Sequence, residues 1–151
     1  MRADKHTEKE IMARLQAFAD AWARHDTDAV LGLFGADPDI VVIGSGSDER
    51  RLGRAELLEQ LRRDWAQSEA VSVTFGWHLV SASGPVAWVA ADLIVHATIA
   101  GKHESFAGRL TAVFEKRRGD WKWMQSHFSL PAIEQAKGES VPAHAAGRKA
   151  A

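Results

Sequence analysis

A chain of 151 residues, with 46% hydrophobic and 26% charged residues, fits one globular domain and excludes a disordered or membrane-spanning protein. The net charge of −1 gives no electric field that attracts nucleic acid or a membrane surface, so we expect neither as a partner. The first ten residues lack the apolar segment of a secretory signal, so we expect a cytoplasmic protein. The absence of cysteine and tyrosine excludes thiolate and phenol chemistry.

Two helices are predicted at the start of the chain. Thr7 and Glu10 have the spacing of a capping box, which marks a helix N-terminus. Asp26 or Thr27 can cap a second, shorter helix. The apolar stripe of the first helix consists of Ile11, Leu15, Phe18 and Trp22, and that of the second of Val30, Leu31 and Phe34.

A short strand and a third helix follow. Residues 40–43 are a β-branched run between an Asp-Pro-Asp turn and a Gly/Ser-rich segment, which predicts a strand. After Gly53, apolar residues recur at helical spacing up to Trp65. The third helix therefore also has one apolar side.

From Val71 onward the apolar period changes to two, which predicts strands. The alternation from Val71 to Leu79 places its apolar residues on one face, and longer strands are expected over 86–99, 105–116 and 121–129. Short turns join them into an antiparallel meander, with the helices on its N-terminal side. We expect an α+β fold in which three amphipathic helices cover a strongly twisted sheet and leave a half-open, cone-shaped cavity.

One domain over residues 1–132 is expected, followed by a tail. The segment 133–151 is rich in Ala, Gly, Pro and charged residues. It is expected to be irregular or loosely helical and to lie outside the core.

Three strand motifs carry a family resemblance. They are Ala87-Trp88-Val89, Arg109-x-Thr111-x-x-Phe114, and the closing run from Gly119 to Pro131. In this order they resemble the SnoaL-like family of the nuclear-transport-factor-2-like superfamily, and the closing run is also similar to the association domain of calcium/calmodulin-dependent protein kinase II. The resemblance implies a pocket between helices and sheet and a homodimer built through the sheet. It implies no single reaction, because relatives include isomerases, cyclases, dehydratases and non-catalytic proteins.

His127 is a candidate catalytic residue, because imidazole exchanges protons near neutral pH. Strict alternation along the closing strand would place His127 on the same face as Trp123, Gln125 and Ser129. The alternative is a structural histidine whose ring nitrogens bond to backbone or to a partner chain.

Asp92 is a second candidate, since it interrupts an otherwise apolar strand. Buried there without a partner, its carboxylate could act as a base toward a carbon acid. Arg109 could then stabilise developing negative charge or clamp an anion. The alternatives for Asp92 are an ion pair with Arg109 or a hydrated position on the sheet.

These candidates predict a binding protein for a small apolar or carboxylate-bearing molecule. It would act, if it is an enzyme, as an isomerase, cyclase or dehydratase that needs no cofactor. The alternative is a non-catalytic dimerisation or regulatory module with a vestigial pocket. No metal site is expected, because the histidine spacing matches no ligand pattern. The residues predicted to line the pocket are Trp22, Phe34, Trp65, Trp88 and Gln125.

Overall fold

The computed structural model describes residues 1–142, and these form three helices and one six-stranded sheet. The sheet is open and mixed, which confirms the predicted α+β, half-open arrangement. The elements are α1 (Lys5–Ala23), α2 (Thr27–Leu33), β1 (Val41–Ile43), β2 (Arg50–Leu52), α3 (Gly53–Gln67), β3 (Ala70–Ser83), β4 (Val86–Ile99), β5 (Lys102–Arg117) and β6 (Asp120–Ser129).

The helix N-termini follow ordinary capping chemistry. Asp4 caps α1, with its Oδ1 accepting a hydrogen bond from the Thr7 backbone amide at 2.7 Å. The predicted cap at Thr7 is therefore wrong, because Asp4 supplies the acceptor and the helix begins at Lys5. Asp26 caps α2 through the Ala29 amide at 3.0 Å, which confirms the prediction.

The strands run in the order β2-β1-β6-β5-β4-β3. The four long strands β3 to β6 form an antiparallel meander, as expected, whereas β1 pairs with β6 in parallel. Strand β2 was not predicted from the sequence; it forms a hairpin with β1 and leads directly into α3. This hairpin places polar side chains beside the first turns of α3.

The sheet has an inner face, covered by the helices, and an opposite outer face. On β4, Val89, Ala91 and Leu93 are buried on the inner face, while Asp92 and Ile94 are exposed on the outer face. The main core combines this inner face with buried residues of the helices. Its largest fully buried side chains are Phe34, Phe114, Ile11, Leu15, Ile40 and Leu61.

Two β-bulges overturn predictions that assumed strict alternation. In β3 the register shifts between Phe75 and His78, so Leu79 pairs with outer-face Ala90 and does not share the face of Val71. In β6 an extra residue, Met124, follows Trp123.

The β6 bulge changes the face on which His127 lies. Trp123 is buried on the inner face, whereas Gln125 and His127 are exposed on the outer face. The predicted common face of Trp123, Gln125 and His127 is therefore wrong, because one inserted residue reverses the alternation.

Beyond β6, residues 130–142 form turns without a helix or strand. The remainder of the predicted tail, residues 143–151, lies outside the described residues. Within residues 1–142, every helix falls short of the combined length and hydropathy that a bilayer crossing requires.

Candidate functional site

A cavity of about 420 Å³ lies between the helices and the inner face of the sheet. Its walls are mainly aromatic and aliphatic because the apolar stripes of α1 and α3 face the inner residues of β3 to β6. The principal apolar lining residues are Phe18, Trp22, Phe34, Leu57, Leu61, Val73, Phe75, Leu93, Val95, Phe106, Leu110, Trp123 and Phe128.

One glycine shapes the sheet wall. A Cβ on Gly108 would collide with Cε2 of Phe128, so the phenyl ring occupies the space directly over this glycine. A larger residue at position 108 would force the ring to move, and Phe128 lines the cavity. The volume of the cavity at this wall therefore depends on Gly108.

The polar lining of the cavity is concentrated where α3 meets the β1–β2 hairpin. Gln60 Nε2 donates to Glu49 Oε1 at 3.1 Å and to Asp64 Oδ1 at 2.8 Å. Arg51 Nε donates to Gln60 Oε1 at 3.0 Å. Gln60 is buried and uses its carbonyl and both amide hydrogens, so its orientation is fixed. We call Glu49, Arg51, Gln60 and Asp64 the polar end of the cavity.

The two carboxylates of the polar end differ in their free acceptor capacity. Glu49 is held at both oxygens, since its Oε2 also accepts from the Gly46 amide at 2.7 Å. Asp64 accepts from Gln60 at Oδ1, and its Oδ2 accepts no hydrogen bond from residues 1–142. Asp64 lines the cavity, and its Oδ2 is the carboxylate oxygen of the polar end that has no donor among residues 1–142.

Burial raises the pKa of the Asp64 carboxyl above its ordinary value. The negative charge of Glu49 acts in the same direction. The hydrogen bond from Gln60 and the positive charges of Arg63 and Arg51 oppose the rise without reversing it. The carboxyl therefore retains its proton to a higher pH than an exposed aspartate.

Trp22 contributes an unsatisfied polar group to the cavity wall. It lines the cavity, and its Nε1 is the one buried side-chain polar atom of residues 1–142 without a hydrogen-bond partner. A buried donor without an acceptor costs about 1–3 kcal/mol. A ligand oxygen that reached this atom would recover part of that cost.

A family model described as a SnoaL-like domain matches residues 11–133. The chain belongs to the SnoaL-like family. The match spans all three helices and all six strands apart from the first turns of α1. Among curated proteins, none matches the sequence of this chain.

Solved structures support the same fold. A nuclear-transport-factor-2-like protein from Salmonella enterica serovar Typhimurium is 18% identical, with a TM-score of 0.80 over 92% of this chain and 100% of its own. A candidate calcium/calmodulin-dependent protein kinase II association domain from Xanthomonas campestris is 22% identical, with a TM-score of 0.75 over 87% and 96%. A candidate dehydratase from Streptomyces avermitilis is 18% identical, with a TM-score of 0.77 over 86% and 100%. At these identities the likeness concerns the fold alone.

The residues predicted to line the pocket divide into three groups in this SnoaL-like domain. Trp22 and Phe34 line the cavity. Trp65 does not; its Nε1 donates to the Trp22 carbonyl at 3.1 Å and its ring stacks on His25. Trp88 and Gln125 lie on the outer face. In the structure, Trp22 and Phe34 are thus the two of these five residues that line the cavity.

The predicted catalytic residues lie together, but away from the cavity. Asp92 and Arg109 are directly opposite on β4 and β5, and His127 is opposite Thr111 on the neighbouring strand. All three predicted residues are exposed on the outer face, and Asp92 and Arg109 form no ion pair within 4.0 Å. Asp92 thus lacks the burial on which its proposed role as a base depended.

The polar end was missed, although part of it had a signal in the sequence. Residues 57, 60, 61 and 64 fall on one helical stripe, so Gln60 and Asp64 interrupt the apolar side of α3. Glu49 had no such signal, because its position depends on the β1–β2 hairpin. Residues 1–142 contain no group of three or more His, Asp or Glu side chains that could hold a metal ion.

Proposed function

We propose that the cavity binds a small, largely apolar molecule that places one polar group at the polar end. The observation that supports this most strongly is the combination of about 420 Å³ of apolar-lined space with an open acceptor on Asp64. Ligand pockets typically occupy roughly 300–1,000 Å³ and carry a few placed polar groups in an apolar wall. The cavity meets both criteria.

We further propose that any reaction in the cavity proceeds by proton transfer, giving isomerisation, cyclisation or dehydration of the bound molecule. The support is a carboxyl in the cavity whose pKa is raised by burial, since a raised pKa makes its carboxylate a stronger base toward a bound molecule. Catalysis by Asp92, Arg109 and His127 stays a prediction, and it would have to occur on the outer face.

The second candidate function is assembly through the outer face. Trp77, Leu79 and Ile94 lie on this face of β3 and β4 with 61%, 40% and 41% exposure. Large apolar side chains exposed close together are typical of interaction surfaces. We therefore propose a homodimer that packs through the sheet and leaves the cavities at the far sides of the two subunits.

A pair of neighbouring substitutions tests the binding proposal. Val95 lines the cavity, whereas Ile94, the preceding residue, is on the outer face. A thermal-shift screen of small cyclic alcohols, amines and ketones should yield compounds that raise the melting temperature of the wild type. Val95→Phe should abolish these shifts by filling the cavity, and Ile94→Phe should retain them. Equal shifts in Val95→Phe and the wild type would rule out the cavity as the binding site.

A further inference from the structure

The polar end has a charge imbalance that bears on which ligands it accepts. Glu49 and Asp64 provide two carboxyl groups, and Arg51 provides one guanidinium in the lining. Arg51 uses part of its donor capacity within the protein, since its Nε donates to Gln60 and its Nη1 donates to the Asp48 carbonyl at 3.1 Å. Of the nearby cations, Arg63 pairs with Asp48 at 2.7 Å. The cavity therefore presents more negative than positive charge to a ligand.

The hydrogen-bonding pattern of the polar end has the same bias, whereas the donor Trp22 Nε1 lies elsewhere among the lining residues, outside the group defined as the polar end. Gln60 directs its two amide hydrogens to the carboxylates, so neither is left for a ligand. The open position is Asp64 Oδ2, which accepts hydrogen bonds when the group is ionised. A ligand group that meets the ionised carboxylate at this oxygen forms a hydrogen bond only if it carries an N–H or O–H.

We propose that the cavity selects compact apolar molecules that end in a hydrogen-bond donor, cationic amines most strongly, and rejects carboxylates. This inference rests on the proposed function and specifies its ligand class. An ammonium group placed against Asp64 would form a charge-assisted hydrogen bond, roughly twice as strong as a neutral one. A carboxylate at the same position would meet two like charges in a partly buried site, where water screens them weakly.

The raised pKa of Asp64 agrees with this assignment. Burial disfavours the isolated carboxylate, so either a proton or a cationic partner must compensate its charge. Binding of an amine would supply that partner and displace the proton. The groups that face Asp64 and modify this balance are Glu49, Arg51 and Arg63.

A matched ligand series tests the selection. Cyclohexylmethylamine, cyclohexylmethanol and cyclohexanecarboxylate share one ring, and methylcyclohexane has the ring without a polar group. Calorimetric titration at neutral pH should rank the amine first, the alcohol second and the carboxylate last. The dissociation constants of the amine and the carboxylate should differ by at least about tenfold.

The Asp64→Asn variant tests the role of Asp64. It should reduce the preference for the amine over the carboxylate to less than about threefold, since an amide carries no charge. Asp39→Asn, an exposed aspartate outside the lining, is the matched control and should retain the wild-type order.

Each outcome bears on a different claim. A carboxylate that binds as tightly as the amine overturns the selection but leaves the binding proposal intact. The same order in Asp64→Asn as in the wild type overturns the assignment to Asp64. If none of the four compounds binds, including methylcyclohexane, both the selection and the proposed function are wrong.

Discussion

The two faces of the sheet use similar residues for different purposes. On the inner face, the aromatic residues Phe114 and Trp123 are buried under helices, and Trp123 also lines the cavity. On the outer face, Trp77 and Ile94 are exposed beside Asp92 and Arg109. The identity of a strand residue therefore says less about its role than the face on which it lies. In this chain two bulges decide that face for the second half of β3 and of β6.

The largest expected effect comes from truncating the inner face. Phe114 is fully buried, so Phe114→Ala should lower the free energy of unfolding by about 3–5 kcal/mol through lost burial and a residual void. Thr111→Ala, on the outer face of the same strand, should change it by less than about 0.5 kcal/mol. Urea titrations of both variants provide the measurement. A comparable loss in the two would contradict the assignment of faces.

The outer face should respond to charge through assembly. Ile94→Asp places a carboxylate beside Asp92 in the proposed subunit contact, where burying it is costly. The dimer dissociation constant should rise by at least about tenfold while the monomer fold is retained. Sedimentation equilibrium measures this directly. A wild type that sediments as a monomer at all concentrations would disprove the homodimer.

Asp64 should make stability depend on pH in a specific direction. The folded-state pKa of Asp64 lies above its ordinary value of 3.8. The stability that the protonated carboxyl contributes is therefore fully present below pH 3.8 and is lost as pH rises through the folded-state pKa. The Asp64→Asn variant has no carboxyl at this position, so its stability does not show this loss as pH rises. The melting temperature of the variant relative to the wild type should therefore increase from acidic to neutral pH. A difference that decreases over this interval would mean that the carboxylate is stabilised, not disfavoured, in the fold.

The smallest expected effect is at the residues first predicted to be catalytic. Asp92→Asn and His127→Gln change exposed side chains on the outer face. The dissociation constant of a cavity ligand should remain within about twofold of the wild type, since distant sites act independently. Titration of cyclohexylmethylamine checks this. A larger loss in either variant would connect the outer face to binding.

The fold could be predicted from the sequence, but the residues of the candidate site could not. Helical spacing identified α1, α2 and α3, and alternation identified the long strands, because both periods reflect burial of one face. A single inserted residue such as Met124 leaves the apolar pattern almost intact yet reverses every later side chain. His127 was consequently predicted on the face of Trp123.

The polar end illustrates a second limit. Its members come from the hairpin and from α3, and they meet through hydrogen bonds such as Gln60 to Glu49, eleven positions apart. Gln60 and Asp64 could have been noticed as polar residues on an apolar helical stripe. Their partner Glu49 could not, since only the tertiary fold brings the hairpin against α3.

The most direct test is a crystal structure of the protein with cyclohexylmethylamine bound. We expect the cyclohexyl ring to lie among the apolar lining residues, with the amine nitrogen about 2.7–3.2 Å from an Asp64 carboxyl oxygen. Electron density for the amine on the outer face, or an amine in the cavity directed away from Asp64, would contradict it.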